Sequence, residues 1–169
     1  MSYFRRSGGQ ITLLALSAIG AVISIYLIIT HYDKQTLVCS TGGLVNCERV
    51  LSSSYSLVPG TALPISIPGF LWFGALGLLA VCAWRVWPNR RALLIAEVVW
   101  TAVGMLSALY LVYAEIVRLD AICIWCTALH IIILLTLIIS TILLQQSGEE
   151  AFDEEEEAED TSRITAKQH

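Results

Sequence analysis

The sequence predicts an all-α membrane protein, a bundle of four transmembrane helices with an outer loop containing a redox pair of cysteines. Three observations lead to it. Hydrophobic residues make up 56% of the 169 and charged residues 14%, with a mean hydropathy of +0.71, which exceeds the roughly 45–50% apolar content of soluble domains. Four stretches, each of about twenty residues, carry almost no charge. Basic residues collect at alternate ends of those stretches. Glycine fingerprints and alternating strand and helix patterns are missing, which disfavours nucleotide-binding and barrel folds.

The first stretch, 11–29, is uncharged, and at about 1.5 Å per residue it reaches roughly 28 Å, close to the thickness of a bilayer's hydrocarbon core. Arg5 and Arg6 before it imitate a secretory signal. The apolar run is longer than the usual 7–15 or so residues of such signals, and no small-x-small cleavage site follows, so an uncleaved anchor is expected. The second stretch, 65–84, has no charge; Gly69, Gly74 and Gly77 suit close helix approach, and Pro68 suits a first helical turn. The third, 92–113, contains only Glu97, near one end, where snorkelling or pairing with Arg90 or Arg91 is expected. Beyond it, Glu115 and Arg118 stand three apart, a spacing that pairs charges across one turn. In the fourth, 121–144, His130 is the only ionisable side chain besides cysteine. All four must be helices, because hydrocarbon offers no water to unpaired backbone groups.

Orientation follows from the basic residues. Arg5, Arg6, Arg85, Arg90, Arg91, Arg163 and Lys167 fall on one side, and Lys34, Arg49 and Arg118 on the other. The positive-inside rule then puts both termini in the cytoplasm and turns the 30–64 loop and the start of the fourth span outward. Trp72, Trp84, Trp87 and Trp100, with Tyr26, Tyr32, Tyr110 and Tyr113, sit mostly towards span ends as an aromatic belt would. Residues 1–148 form the four-helix domain. In 149–169, nine of the fourteen acidic residues crowd between Glu149 and Asp160, and the segment is too polar to fold, so a disordered cytoplasmic tail is expected. The domain itself has eight basic and five acidic residues without a basic stripe, which excludes nucleic acid as a partner.

This topology sorts the five cysteines. Cys39 and Cys47 lie in the outer loop, Cys123 and Cys126 in the first turn of the fourth span, and Cys82 towards the opposite end, as a small buried hydrophobe. Disulfides persist on the outer face of a bacterial inner membrane or in the endoplasmic reticulum lumen. Cys123 and Cys126, three apart on a helix, share a face at a spacing that admits a disulfide, and a helix N-terminus favours the thiolate that performs exchange. A loop dithiol able to reach that pair would relay two electrons from a soluble protein to a lipid-soluble acceptor. Two simpler accounts stand beside this one. Cys39 and Cys47 close a nine-residue ring, which as a purely structural disulfide is worth about 2–3 kcal/mol in the chain-entropy model; Gly42 and Gly43 suit an exchanging loop and an ordinary turn equally. Alternatively Cys123, Cys126 and His130, joined by Cys39 or Cys47, offer the donors of a zinc site. A closed metal site leaves one loop cysteine without a role, and no metal is expected.

With these residues in place the sequence resembles the vitamin K epoxide reductase family over roughly residues 11–144. The resemblance is carried by Cys39-Ser-Thr-Gly-Gly-Leu-Val-Asn-Cys47, by Glu48-Arg-Val-Leu-Ser-Ser-Ser54, and by Tyr113-Ala-Glu-Ile-Val-Arg-Leu-Asp-Ala-Ile-Cys123-Ile-Trp-Cys126. It implies a helix bundle that couples disulfide formation to reduction of a quinone of the ubiquinone, menaquinone or phylloquinone type. By the same resemblance Cys39 exchanges with the partner protein, Cys47 passes electrons to Cys123, and Cys126 faces the quinone. Ser53 matches the family's serine at the quinone pocket, with helix capping as its plainer role.

Two positions depart from the animal enzymes: Ile65 stands where they have an asparagine that holds the vitamin, and His130 where they have tyrosine. These favour a bacterial homologue that oxidises a thioredoxin-like periplasmic or lumenal dithiol protein, here expected as a separate polypeptide. His130 lies one turn deeper in the membrane than Cys126, placed to hydrogen-bond the quinone, to move its protons, or simply to pack. The alternatives are a reductase acting for the quinone's or its epoxide's sake, and a non-catalytic membrane protein stapled by disulfides or zinc.

Overall fold

The computed structural model describes residues 2–33, 37–39, 41–42, 45–87 and 90–167. Lys34 and Gly43, named above, lie outside them. Five α-helices and one small hairpin follow in order: α1 (Ser2–Tyr32), β1 (Thr41–Gly42), β2 (Val45–Asn46), α2 (Cys47–Leu51), α3 (Ser66–Val81), α4 (Arg91–Tyr113) and α5 (Ile124–Lys167). A 3₁₀ turn covers Ser54–Ser56, and wide π turns extend α3 over Cys82–Val86 and α4 over Ala114–Arg118.

Among the described residues, four segments are long and apolar enough to cross a bilayer: Ser7–Tyr32, Ser66–Val86, Arg91–Arg118 and Ile124–Gly148. Most run a few residues past the expected ends, because a helix already formed continues cheaply through polar residues at its margins. The same reasoning covers the acidic segment. Its backbone continues α5 as far as Lys167, where composition had predicted disorder; Glu and Ala are good helix formers, and elongation from an existing helix avoids the cost of nucleation.

The spans close into a ring, with α1 packed on α3 and α5, and α4 on α5 and α3. Small residues set the close approaches. On α1, Gln10, Ser17 and Ser24 recur every seven residues and all are buried, a heptad seam. Ser17 and Ser24 face glycines of α3: a Cβ on Gly77 would stand 2.9 Å from Ser17 Oγ, and one on Gly69 would stand 3.7 Å from Ser24 Oγ. At Gly104 of α4 a Cβ would collide with the Trp72 ring. That indole stacks on Trp100, with centroids 6.4 Å apart, and each indole N–H donates to the other's backbone carbonyl, at 3.3 and 3.1 Å. Outward residues such as Val22, Leu78, Val99 and Leu106 stay exposed and apolar, as lipid-facing positions should.

Two clusters mark the ends of the bundle. Far from the loop, Leu13, Ala80, Ala83, Leu94 and Leu143 form a closed core. Beside it Glu97 is fully buried and accepts a 3.1 Å hydrogen bond from Gln10 Nε2. This corrects the expectation of a snorkelling side chain: Glu97 lies on the inward face of α4, where Gln10 of α1 meets it. At the loop end, Cys47, Val50, Ala121 and Cys123 form the second cluster.

Candidate functional site

The loop is fixed to the bundle at several points. β1 and β2 pair antiparallel, Thr41 opposite Asn46 and Gly42 opposite Val45. Val45 also bridges in parallel to Ile122, where Asn46 N–H donates to the Ile122 carbonyl at 3.1 Å. That register carries Cys47, one residue on, to the neighbourhood of Cys123. Asn46 then caps α2, its side-chain oxygen accepting from Arg49 N–H at 3.0 Å. Before the hairpin, Val38 is gripped from both sides. Its N–H donates to the Tyr26 hydroxyl at 2.9 Å, its carbonyl accepts from Trp125 Nε1 at 3.0 Å, and the Tyr26 and Trp125 rings lie 4.7 Å apart. Trp125, a belt or cover residue on sequence grounds, therefore anchors the residue next to Cys39.

Cys39 and Cys47 are joined in a disulfide, with Cα atoms 6.1 Å apart, while Cys123 and Cys126 are free thiols. All four belong to one packed cluster, Cys47 and Cys123 completely buried and Cys39 and Cys126 against them. α5 begins at Ile124, so Cys123 occupies the position before the first turn rather than lying within it. Its carbonyl accepts from Thr127 N–H at 2.9 Å and from the Thr127 hydroxyl at 3.0 Å. Cys123 thus stands just outside the span. The Cys126 thiol hydrogen-bonded to its sulfur, helped by the backbone N–H groups of Cys126 and Trp125, holds the Cys123 thiol below its ordinary pKa, against the upward push of burial and of nearby Glu115.

The link between α4 and α5 is shaped to reach this position. The π turn is closed by Leu119 N–H donating to the Ala114 carbonyl at 3.1 Å, Asp120 takes a left-handed backbone with φ of 47°, and Ala121 N–H returns to the Glu115 carbonyl at 3.1 Å. The extra residue of a π turn rotates the residues beyond it about the helix axis. Glu115, expected to pair with Arg118, is turned inward and 5% exposed, whereas Arg118 is exposed. One Glu115 oxygen, Oε2, accepts from Cys123 N–H at 3.5 Å, and the carboxylate makes a hydrogen-bonding contact with the Cys126 thiol. Sequence reasoning missed this residue. The available signal was an acidic side chain eight residues before Cys123, at the end of an apolar span.

Behind Cys126 lies a cavity of about 280 Å³, near the lower end of the roughly 300–1,000 Å³ of small-molecule sites. Its walls come from α1, the α2 region, α3, α4 and α5, and are mainly apolar, with Leu27, Phe73 and Ile133 among them. Cys126, Glu115 and His130 reach it together. Ile65 lines it as well, an apolar contact at the mouth of α3.

The Ser53 side chain is turned to its own backbone. The residues of its turn that line the cavity are Tyr55 and Ser56. The Ser53 hydroxyl donates back to the Val50 carbonyl at 2.7 Å, and the Ser53 carbonyl accepts from Ser56 N–H and hydroxyl at 3.1 and 2.8 Å. The 3₁₀ turn that begins after Ser53 aims it at the backbone, so it shapes the wall from behind.

Among the described residues, then, the fold joins the loop disulfide, the free cysteine pair and the cavity in that order. A quinone's apolar ring fits such walls, with the Cys126 thiol, the Glu115 carboxyl and the His130 imidazole among the polar groups that reach them. The family model for the vitamin K epoxide reductase family matches residues 11–141, nearly the whole bundle. No curated protein matches the chain. The chain therefore belongs to the vitamin K epoxide reductase family, and is a multi-pass membrane oxidoreductase that links disulfide chemistry to a quinone.

Proposed function

We propose that the protein is a thiol oxidase: it takes two electrons from a reduced thioredoxin-like protein through Cys39 and Cys47, hands them to Cys123 and Cys126, and disposes of them on a membrane quinone. One observation carries this reading, the backbone pairing of the loop strand with Ile122, which packs the loop disulfide against the free pair. A structural staple needs no such docking.

Each protein step is thiolate attack on a disulfide. A partner thiolate attacks Cys39, releasing Cys47 as thiolate, and the partner's second thiol resolves the mixed disulfide, so that the partner leaves oxidised and the loop reduced. Cys47 then attacks Cys123 of an oxidised Cys123–Cys126 pair, Cys126 departs as the thiolate beside the cavity, and Cys39 resolves the Cys47–Cys123 bond. The arrangement of loop disulfide and free helix pair is the product of that internal transfer. The low-lying Cys123 thiol suits this exchange, because it is the sulfur expelled when the loop disulfide re-forms.

A quinone in the cavity supplies the two-electron oxidant that re-forms the Cys123–Cys126 bond. The residues that would hold it are His130, as a hydrogen-bond partner, Tyr55 and Ser56 on the turn that Ser53 braces, and the apolar wall including Ile65. Ile65 offers the ring no hydrogen bond, which supports a quinone rather than its epoxide as the acceptor. The basic residues near span ends support a bacterial inner membrane setting with cytoplasmic termini and the loop in the periplasm.

The test is reconstitution. Purified protein given a reduced thioredoxin-like dithiol protein is expected to bleach the absorbance of ubiquinone or menaquinone, and Cys126→Ala is expected to abolish this. Unchanged turnover in that variant would overturn the reading, as would turnover of quinone epoxide in preference to quinone.

A further inference from the structure

Re-forming the Cys123–Cys126 disulfide releases two protons as well as two electrons, and the structure holds a group that meets the thiol on one side and the cavity on the other. We propose that Glu115 is the acid–base residue of this site, taking the proton of the Cys126 thiol as that sulfur gives up its electrons and releasing it into the cavity. The inference rests on the cavity being the quinone site.

Three observations carry it. The Glu115 carboxylate contacts the Cys126 thiol, and its Oε2 also accepts from Cys123 N–H at 3.5 Å. Glu115 lines the same cavity as Cys126 and His130. It does so because the chain departs from the α-helix there: the π turn over Ala114–Arg118 rotates the carboxylate inward, and such turns are frequent at functional sites. A buried carboxylate is costly to keep in a membrane protein, and one held against a reacting sulfur has a chemical reason to stay.

Protons and electrons balance. Glu115 takes the Cys126 proton and delivers it to one quinone oxygen. The Cys123 proton follows through the Cys126 sulfur, to which it is hydrogen-bonded, and Glu115 passes it to the second oxygen. With both sulfurs deprotonated the S–S bond forms and two electrons pass to the quinone, giving disulfide and quinol. Besides Cys126 and Glu115 itself, the titratable groups on the cavity are His31 from α1, Tyr55 from the turn after α2, and His130 from α5.

The experiment uses the full chain in two states. With the Cys123–Cys126 pair prereduced, Glu115→Gln is expected to reoxidise on added quinone about a hundredfold or more slowly than the parent. Glu115→Asp, which keeps the carboxylate, is expected to recover at least a tenth of the parent rate. In quinone-free protein, the infrared difference spectrum between reduced and oxidised Cys123–Cys126 should contain a carboxyl band that shifts in Glu115→Asp and disappears in Glu115→Gln. Reoxidation of Glu115→Gln within threefold of the parent would overturn the proposal. So would equal damage by Gln and Asp, or a parent spectrum with no carboxyl band, which decides the matter even if the Gln variant does not fold. These outcomes are separate from failure of the broader reading, which shows as activity in Cys126→Ala.

Discussion

α4 and its extension bury two glutamates at opposite ends of the bundle, and the two have different company. Glu97 is completely buried beside a closed aliphatic core, where it accepts from Gln10. Glu115 is 5% exposed at the loop end and meets the Cys126 thiol, the Cys123 backbone N–H and a cavity. Burial is nearly the same in both; access to reacting atoms is not. The Glu97 carboxylate meets Gln10 of α1 away from the thiols and the cavity, and it registers α1 on α4. A carboxylate at a cavity wall beside a thiol has both a donor and an outlet. In this protein the environment of a buried charge, rather than its burial, separates structure from chemistry.

The largest effect on stability is expected at the sealed end. Replacing Glu97 with leucine leaves the Gln10 amide without that acceptor inside the bundle and should cost about 1–3 kcal/mol of stability, read as a lower unfolding midpoint in detergent, with quinone reduction per folded molecule within threefold of the parent. The double variant Gln10→Leu and Glu97→Leu should regain most of the loss, since replacing both partners of a buried polar pair by apolar groups is often nearly neutral. A large activity loss in folded Glu97→Leu would mean that both ends take part in proton movement. At the reactive end, His130→Leu should raise the quinone KM about tenfold, the worth of one hydrogen bond of about 1.4 kcal/mol, with a smaller change in kcat; an unchanged KM would return His130 to packing. The smallest effect belongs to the loop anchor. Trp125→Phe keeps the ring against Tyr26 and loses the bond to the Val38 carbonyl, so the rate at which a reduced thioredoxin-like protein opens the Cys39–Cys47 disulfide should change by about three- to fivefold, while reoxidation of Cys123–Cys126 by quinone stays constant.

Much of the fold was legible in the chain because a bilayer enforces it. Each apolar run long enough to cross had to be a helix, and the four runs are the four spans of the structure. The two cysteine pairs were visible in the chain as well, and in the structure the loop pair is bonded while Cys123 and Cys126 are free thiols. The expectations that failed share a cause. Glu97 and Glu115 were assigned to neighbours along the chain, Arg90 or Arg91 for one and Arg118 for the other, because helical spacing is all that one strand of sequence offers. The structure gives them partners eight or more positions away, Gln10 on α1 for Glu97 and Cys123 just before α5 for Glu115. At Ser53 the resemblance identifies the turn, and the 3₁₀ geometry brings Tyr55 and Ser56 of that turn to the cavity wall.

The amino-acid sequence by itself determined the number of crossings and the two cysteine pairs, since length, apolarity and residue type act locally and survive any arrangement of the helices. The tertiary structure alone decided which carboxylate meets a thiol, which indole holds the loop and where the cavity opens. Those are questions of the direction in which a side chain points, and here a π turn at Ala114–Arg118 and a left-handed Asp120 set that direction, through backbone departures that hydropathy and spacing do not encode.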